Sequence, residues 1–141
     1  MEQPADIGLI GLAVMGQNLV LNLNDHGFKV VVYNRTTSKV DEFLNGPAKG
    51  TAVMGAYSIE EFVAALKRPR IVILMVRAGE VVDDFINKVL RHLRYGDVII
   101  DGGNSKSSDT HRRLCEVTPL GILYVGTGIS GGEEGARFGP A

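Results

Sequence analysis

Residues 6–16, D-I-G-L-I-G-L-A-V-M-G, decide the fold. The first half is apolar and suits a buried strand, the chain turns at Gly11, and a helix starts near Val14. Gly11, Ala13 and Gly16 make a G-x-A-x-x-G form of the dinucleotide-binding fingerprint. Each small residue has its own task. Gly11 permits the tight turn, Ala13 lets the backbone approach a pyrophosphate, and Gly16 lets helix and strand pack closely. The helix start then offers unpaired N–H groups and a partial positive charge to phosphates. A bare structural turn reads the same way, so the surrounding chain must decide.

Beyond this stretch, Met15, Leu19 and Leu23 recur at helical spacing, with Gly27 placed to end the helix. Residues 28–33 (F-K-V-V-V-Y) read as a second strand, and Thr36 or Ser38 can cap a helix running to about Leu44. A short third strand is expected near residues 51–54. Ser58 and Glu61 form a capping box opening the next helix. Residues 70–76 (R-I-V-I-L-M-V) are nearly all apolar, as a parallel strand covered on both faces must be. Val81 or Val82, Phe85, Val89 and Leu93 mark a helix. Residues 97–100 give a fifth strand, 109 to about 117 a helix, and 121–125 a sixth strand. Strands alternating with helices on short connections imply right-handed crossovers and a parallel sheet. The fold expected is α/β, a Rossmann-type doubly wound parallel sheet of order 3-2-1-4-5-6 in three α/β/α layers.

The totals agree. The chain has 141 residues, expected to form one domain (1–141), with 45% hydrophobic and 22% charged residues and a net charge of -1. That balance argues against a nucleic-acid surface, and no apolar run reaches the roughly 20 residues of a membrane span. One cysteine, Cys115, leaves no internal disulfide and fits a reducing, cytoplasmic setting. His26, His92 and His111 lack ligand spacing, so they read as surface histidines and no metal site is expected. Cys115 reads as a packed thiol, and Arg112–Arg113 as a solvated helix face.

In such a sheet, ligands bind beyond the carboxyl ends of the strands. After strand two come Asn34, Arg35 and Thr36, where NAD enzymes place an acid on the ribose 2′-hydroxyl. No Asp or Glu stands here. A guanidinium at Arg35 can hold a 2′-phosphate bidentately, which favours NADP. Strand four delivers Val76, Arg77 and Ala78 beside the cofactor, and strand five delivers Asp101-Gly102-Gly103-Asn104-Ser105. The segment after strand six, G-T-G-I-S-G-G-E-E-G, has N–H groups and a hydroxyl suited to a carboxylate or phosphate. On composition alone it is equally a flexible loop.

The stretches G-L-A-V-M-G-Q-N-L, N-D-H-G-F, N-R-T, D-G-G-N-S and G-I-S-G-G-E-E-G-A-R-F-G-P occur in this order. Together they resemble the 6-phosphogluconate dehydrogenase family over essentially the whole chain. The 3-hydroxyisobutyrate-type dehydrogenases are an alternative, but they usually carry Gly at the position of Ala13 and lack D-G-G-N-S. An alternative of another class is a non-catalytic NADPH-binding module.

The resemblance implies oxidation of 6-phosphogluconate by NADP and loss of CO2 to give ribulose 5-phosphate, a step of the pentose phosphate pathway. It implies that Gly11, Ala13, Val14, Met15 and Gly16 line the cofactor, and that Asn34, Arg35 and Thr36 meet its 2′-phosphate end. Val76, Arg77 and Ala78 would run alongside, and Asn104 would touch both nicotinamide ribose and substrate. Ser130, Gly131 and Gly132 would hold the sugar acid, with Glu133 near the nicotinamide. Arg77 stands where the family usually has Lys, and Lys106 and Ser107 where an acid and an aromatic are common. The family continues past the position of Ala141 into a helical domain. By the resemblance, the lysine base, the proton-donating acid and the dimer contacts lie there, beyond Ala141. No catalytic residue is therefore assigned within this chain, which alone is expected to be inactive, and the full-length protein is expected to be a homodimer.

Overall fold

The computed structural model describes residues 3–127. Six parallel strands form one sheet: β1 (Ile7–Ile10), β2 (Val30–Tyr33), β3 (Met54–Gly55), β4 (Ile71–Leu74), β5 (Val98–Asp101) and β6 (Leu123–Gly126). Their order is β3-β2-β1-β4-β5-β6, the doubly wound arrangement the alternating pattern implied. Five helices connect them: α1 (Val14–Asp25), α2 (Ser38–Asn45), α3 (Ile59–Ala64), α4 (Glu80–Leu90) and α5 (Ser107–Val117). None is long and apolar enough to cross a membrane.

Both faces of the sheet are covered, which is why the central strands are apolar throughout. On β2, Val30 and Val32 join one core and Val31 the other; on β4, Ile73 joins the first and Val72 and Leu74 the second. The first core packs under α1 and α2 through Val20, Val40 and Phe43. The second takes Phe62 from α3, Phe85 and Val89 from α4, and Val117 from α5. At the sheet end away from the strand tips, the buried Asp97 carboxylate accepts the Arg70 and Arg94 amides, each at 2.8 Å, and fixes the start of β5.

Several boundaries differ from the sequence reading. β2 starts at Val30 because Phe28 N–H closes the end of α1 on Leu23 and Lys29 N–H bonds Asp6. β3 is two residues at Met54–Gly55, because Thr51 is used in a turn onto Ala48. The N-cap position of α2 is Thr37, not Thr36 or Ser38, and its side chain makes no cap bond. On α1 the innermost residues are Gly16 and Val20, with Leu19 and Leu23 beside them. The helix rolls onto its smallest residue because that is where it approaches the sheet most closely. Ser58 does cap α3, its Oγ accepting Glu61 N–H at 3.0 Å. α5 begins at Ser107, earlier than expected.

Candidate functional site

Parallel strands present all their carboxyl ends at one edge, and a crevice opens where the strand order reverses between β1 and β4. Here the crevice is a cleft of about 230 Å³. The segment after β1 gives Gly11, Leu12 and Ala13; that after β2 gives Asn34 and Arg35; that after β4 gives Met75, Val76 and Arg77. Val81 and Phe85 of α4 close one wall.

The turn at its base works only with small residues. Gly11 has φ +111°, and a side chain there would run into the Met75 carbonyl. A Cβ on Gly16 would land on the Gly11 carbonyl oxygen, so this contact fixes how closely α1 approaches β1. Ala13 occupies the N-cap position of α1 with no side-chain cap bond, and the first turn holds no acidic residue. The first amides of α1 therefore meet neither a capping oxygen nor a competing carboxylate, the condition under which a helix start accepts an anion.

Asn34 braces this turn. Its Oδ1 accepts Leu12 N–H at 2.9 Å and its Nδ2 donates to the Thr36 carbonyl at 3.1 Å. One Nδ2 hydrogen is left over for a ligand. Arg35 is exposed at the cleft mouth, its guanidinium carbon 5.5 Å from the centre of the Phe85 ring. Lys88 Nζ lies 5.4 Å from the same ring. Phe85 is itself buried against Tyr33, with ring centres 6.5 Å apart. A guanidinium over an aromatic ring at the cleft mouth, with no acid at the tip of β2, suits an anionic group.

The structure thus gathers Gly11, Ala13, Asn34, Arg35, Val76 and Arg77 around one cleft. Val14, Met15 and Gly16 form the first turn of α1 behind it, Thr36 is tied to Asn34, and Ala78 is exposed farther along its loop. Asn104 lies elsewhere, in a neighbouring cleft of about 450 Å³ between β5, α5 and the end of β6. The two adjoin, because a Cβ on Gly103 would stand 3.0 Å from the Val76 carbonyl oxygen. Ser130, Gly131, Gly132 and Glu133 fall outside the described residues. So does Ala141. Among the described residues, no group of three or more His, Cys, Asp or Glu could hold a metal ion.

Two readings of α5 need correction. Arg113 is not on a solvated face: it is 1% exposed. Its Nε donates to Asp83 Oδ1 at 2.8 Å, its Nη2 to the Gly79 carbonyl at 3.0 Å, and its Nη1 to Ser105 Oγ at 3.0 Å. Only Arg112 lies outside, paired with Asp83 and Glu116. Cys115, expected to be packed, is exposed, with Sγ 3.7 Å from His111 Nε2. One geometric fact accounts for both. α5 buries the stripe through Arg113 and Val117, one turn apart, which turns Cys115 outward.

The carboxylate of Asp101, also 1% exposed, completes the cluster. Its Oδ1 accepts Gly103 N–H at 3.0 Å. Its Oδ2 accepts the Ser105 hydroxyl, receives Tyr124 OH at 3.4 Å and faces Arg113 Nη1 at 3.6 Å. Hydrogen bonds from Arg113 hold the Asp83 carboxyl below its ordinary range. Burial pushes the Tyr124 phenol up to about 12, aided by the nearby Asp101 charge, so it stays a neutral donor. The sequence did carry one signal for this cluster. Val117, apolar and facing the core, shares its stripe with the residue four positions earlier, and an arginine buried on that stripe requires carboxylates.

Comparison with known proteins places the chain as follows. Residues 6–141 match the family model described as the NAD binding domain of 6-phosphogluconate dehydrogenase. The chain is 66% identical over its whole length to the decarboxylating 6-phosphogluconate dehydrogenase of Aggregatibacter actinomycetemcomitans, covering 29% of that protein. It is 63% identical over 97% of its length to the human enzyme of the same name, covering 28% of it. Among solved structures, it superposes with a TM-score of 0.87 on Plasmodium falciparum 6-phosphogluconate dehydrogenase. That enzyme was solved in its apo form, with its cofactor NADP+ and with its substrate 6-phosphogluconate. It is 47% identical, and the match covers 94% of this chain and 28% of that one. An Aspergillus terreus imine reductase, 20% identical with a TM-score of 0.76, shares the fold. The chain spans less than a third of the length of these curated relatives.

Proposed function

Starting from the fact that this chain belongs to the 6-phosphogluconate dehydrogenase family, we propose that it is the cofactor-holding part of an NADP-dependent enzyme. That enzyme would convert 6-phosphogluconate to ribulose 5-phosphate and CO2. The observation that carries the reading is Arg35, standing over Phe85 at the mouth of the glycine-turn cleft with no carboxylate at the end of β2.

The residues fit the cofactor by their chemistry. The bare amides at the start of α1 suit the pyrophosphate, and Gly11 and Ala13 leave room for it. Val14, Met15 and Gly16 begin the helix that aims these donors. Arg35 would hold the 2′-phosphate through its planar fork, with N–H from Asn34 and the Thr36 segment alongside. Val76, Arg77 and Ala78 would flank the nucleotide, and Arg77 can replace the usual Lys as a cation of different geometry. The bound cofactor supplies the hydride acceptor. Asn104, carried on the rigid D-G-G-N-S loop, would meet both the nicotinamide ribose and the sugar acid, with Ser130, Gly131 and Gly132 as further ligands of the sugar acid. The base and acid would come from the remainder of the enzyme, past Ala141. A cytoplasmic homodimer with no nucleic-acid or membrane partner accords with the family and with the charge balance.

The test is Arg35→Ala in the enzyme carrying this chain, with NADPH and NADH titrated by fluorescence. A charged bidentate contact is worth about 2–3 kcal/mol, so NADPH should bind roughly 30- to 150-fold more weakly while NADH changes little. Wild-type protein should release NADPH when given 6-phosphogluconate and NADP+. Equal affinity for both cofactors in the wild type would overturn the assignment.

A further inference from the structure

The loops after β4 and β5 must keep a fixed relation if a cofactor and a sugar acid are to meet between them. Little in their own sequences provides this, since both are short and glycine-bearing. We propose that Arg113 is the positioning residue that locks the two loops together and thereby sets the placement of Asn104. What Asn104 touches rests on the function proposed above.

The argument comes from where one guanidinium sends its N–H groups. Nε and Nη2 grip the Asp83 carboxylate at 2.8 and 3.3 Å, and Nη2 also reaches the Gly79 carbonyl at 3.0 Å. Those contacts fix the end of the loop that carries Arg77 and Ala78 to the start of α4. On the other side, Nη1 donates to Ser105 Oγ at 3.0 Å and stands 3.6 Å from Asp101 Oδ2. Asp101 in turn holds Gly103 N–H and the Ser105 hydroxyl. The residues on either side of Asn104 are therefore pinned, while Asn104 itself stays exposed at the cleft. A side chain this buried, between two carboxylates and both loops, spans a gap that a single point charge cannot. A lysine would keep the charge and lose the fork.

A small displacement of a substrate-positioning group costs turnover far more than it costs binding of a cofactor held elsewhere. Arg113→Lys and Arg113→Ala in the enzyme carrying this chain test this with three readouts. Turnover of 6-phosphogluconate by Arg113→Lys should fall about tenfold or more in kcat, with the NADPH dissociation constant within about twofold of wild type. Amide exchange should speed up together at residues 77–79 and 102–106 and stay unchanged at residues 11–16. Added guanidinium ion should restore part of the turnover of Arg113→Ala. The proposal is overturned if both variants keep wild-type kcat and loop exchange and lose only melting temperature. It is equally overturned if the two loops loosen independently. A wild type that binds NADPH but leaves 6-phosphogluconate untouched would defeat the proposed activity instead, and the exchange readout would still decide the coupling.

Discussion

Two regions at the same edge of the sheet solve the same problem by opposite means. At the first crossover, between β1 and α1, the shape is made of backbone: Gly11, Ala13 and Gly16 remove side chains so that amides can face a ligand. At the tip of β5, the shape is made of side chains. Asp101, Ser105, Arg113, Asp83 and Tyr124 come from four different elements and the loop between two of them, and they converge on a loop that holds Asn104 out. The first region fails when atoms are added, the second when a charge is taken away.

Adding atoms should have the largest effect. Gly16→Val puts branched carbon where the Gly11 carbonyl already sits, and backbone cannot yield as a flexible side chain would. Overpacking of this kind costs about 3 kcal/mol, visible as a lower melting temperature. The misplaced α1 amides should take NADPH binding below detection at micromolar protein. Near-normal affinity would mean that the close approach of α1 to β1 does not shape the phosphate site.

The same contrast explains what could be read from the sequence. The first crossover lies within eleven consecutive residues, so its physics is local and the spacing of small residues is enough to find it. The tip of β2 was legible for a similar reason: the missing acid and Arg35 follow directly on the strand. Arg113 is hard to read because its partners lie at Asp83, thirty positions earlier, and at Asp101, and its one local mark, the one-turn spacing to Val117, does not reveal them. Cys115 went wrong with it, since both depend on which way α5 is rolled. The short extent of β3 also escaped, because Thr51 takes a turn bond in place of a ladder.

Removing a charge from the second region should have an intermediate effect. Asp101→Asn keeps the shape and still accepts Gly103 N–H, but Arg113 then has only the half-buried Asp83 as a carboxylate partner. Losing a charged partner in such a network costs about 2 kcal/mol. Melting temperature should fall by less than for Gly16→Val, and NADPH affinity should hold, since the first crossover is untouched. A parallel loss of NADPH affinity would show that the two regions are not separable.

Acid gives the finest distinction between them. The Asp83 carboxyl is held below its ordinary value of 3.8 by hydrogen bonds from Arg113 and then Arg112, against the effect of burial. A carboxyl whose folded value is depressed contributes stability in full above its unfolded value and loses it as pH falls through the folded one. The α4–α5 tie should therefore weaken only below about pH 4, and it should be intact at neutrality. Asp6, lowered by Lys67 and by the Lys29 amide, titrates in the same window, so global melting cannot separate the two. Local exchange can. As pH falls from about 5 to 3, after correction for intrinsic rates, residues 102–106 should lose protection while Gly11 and Leu12, whose amides bond the Tyr33 carbonyl and Asn34 Oδ1, keep theirs. Asp83→Asn should flatten that response at the Asn104 loop and leave the Asp6 contribution in place. A response that survives Asp83→Asn unchanged would move the acid-sensitive group elsewhere and remove Asp83 from the tie.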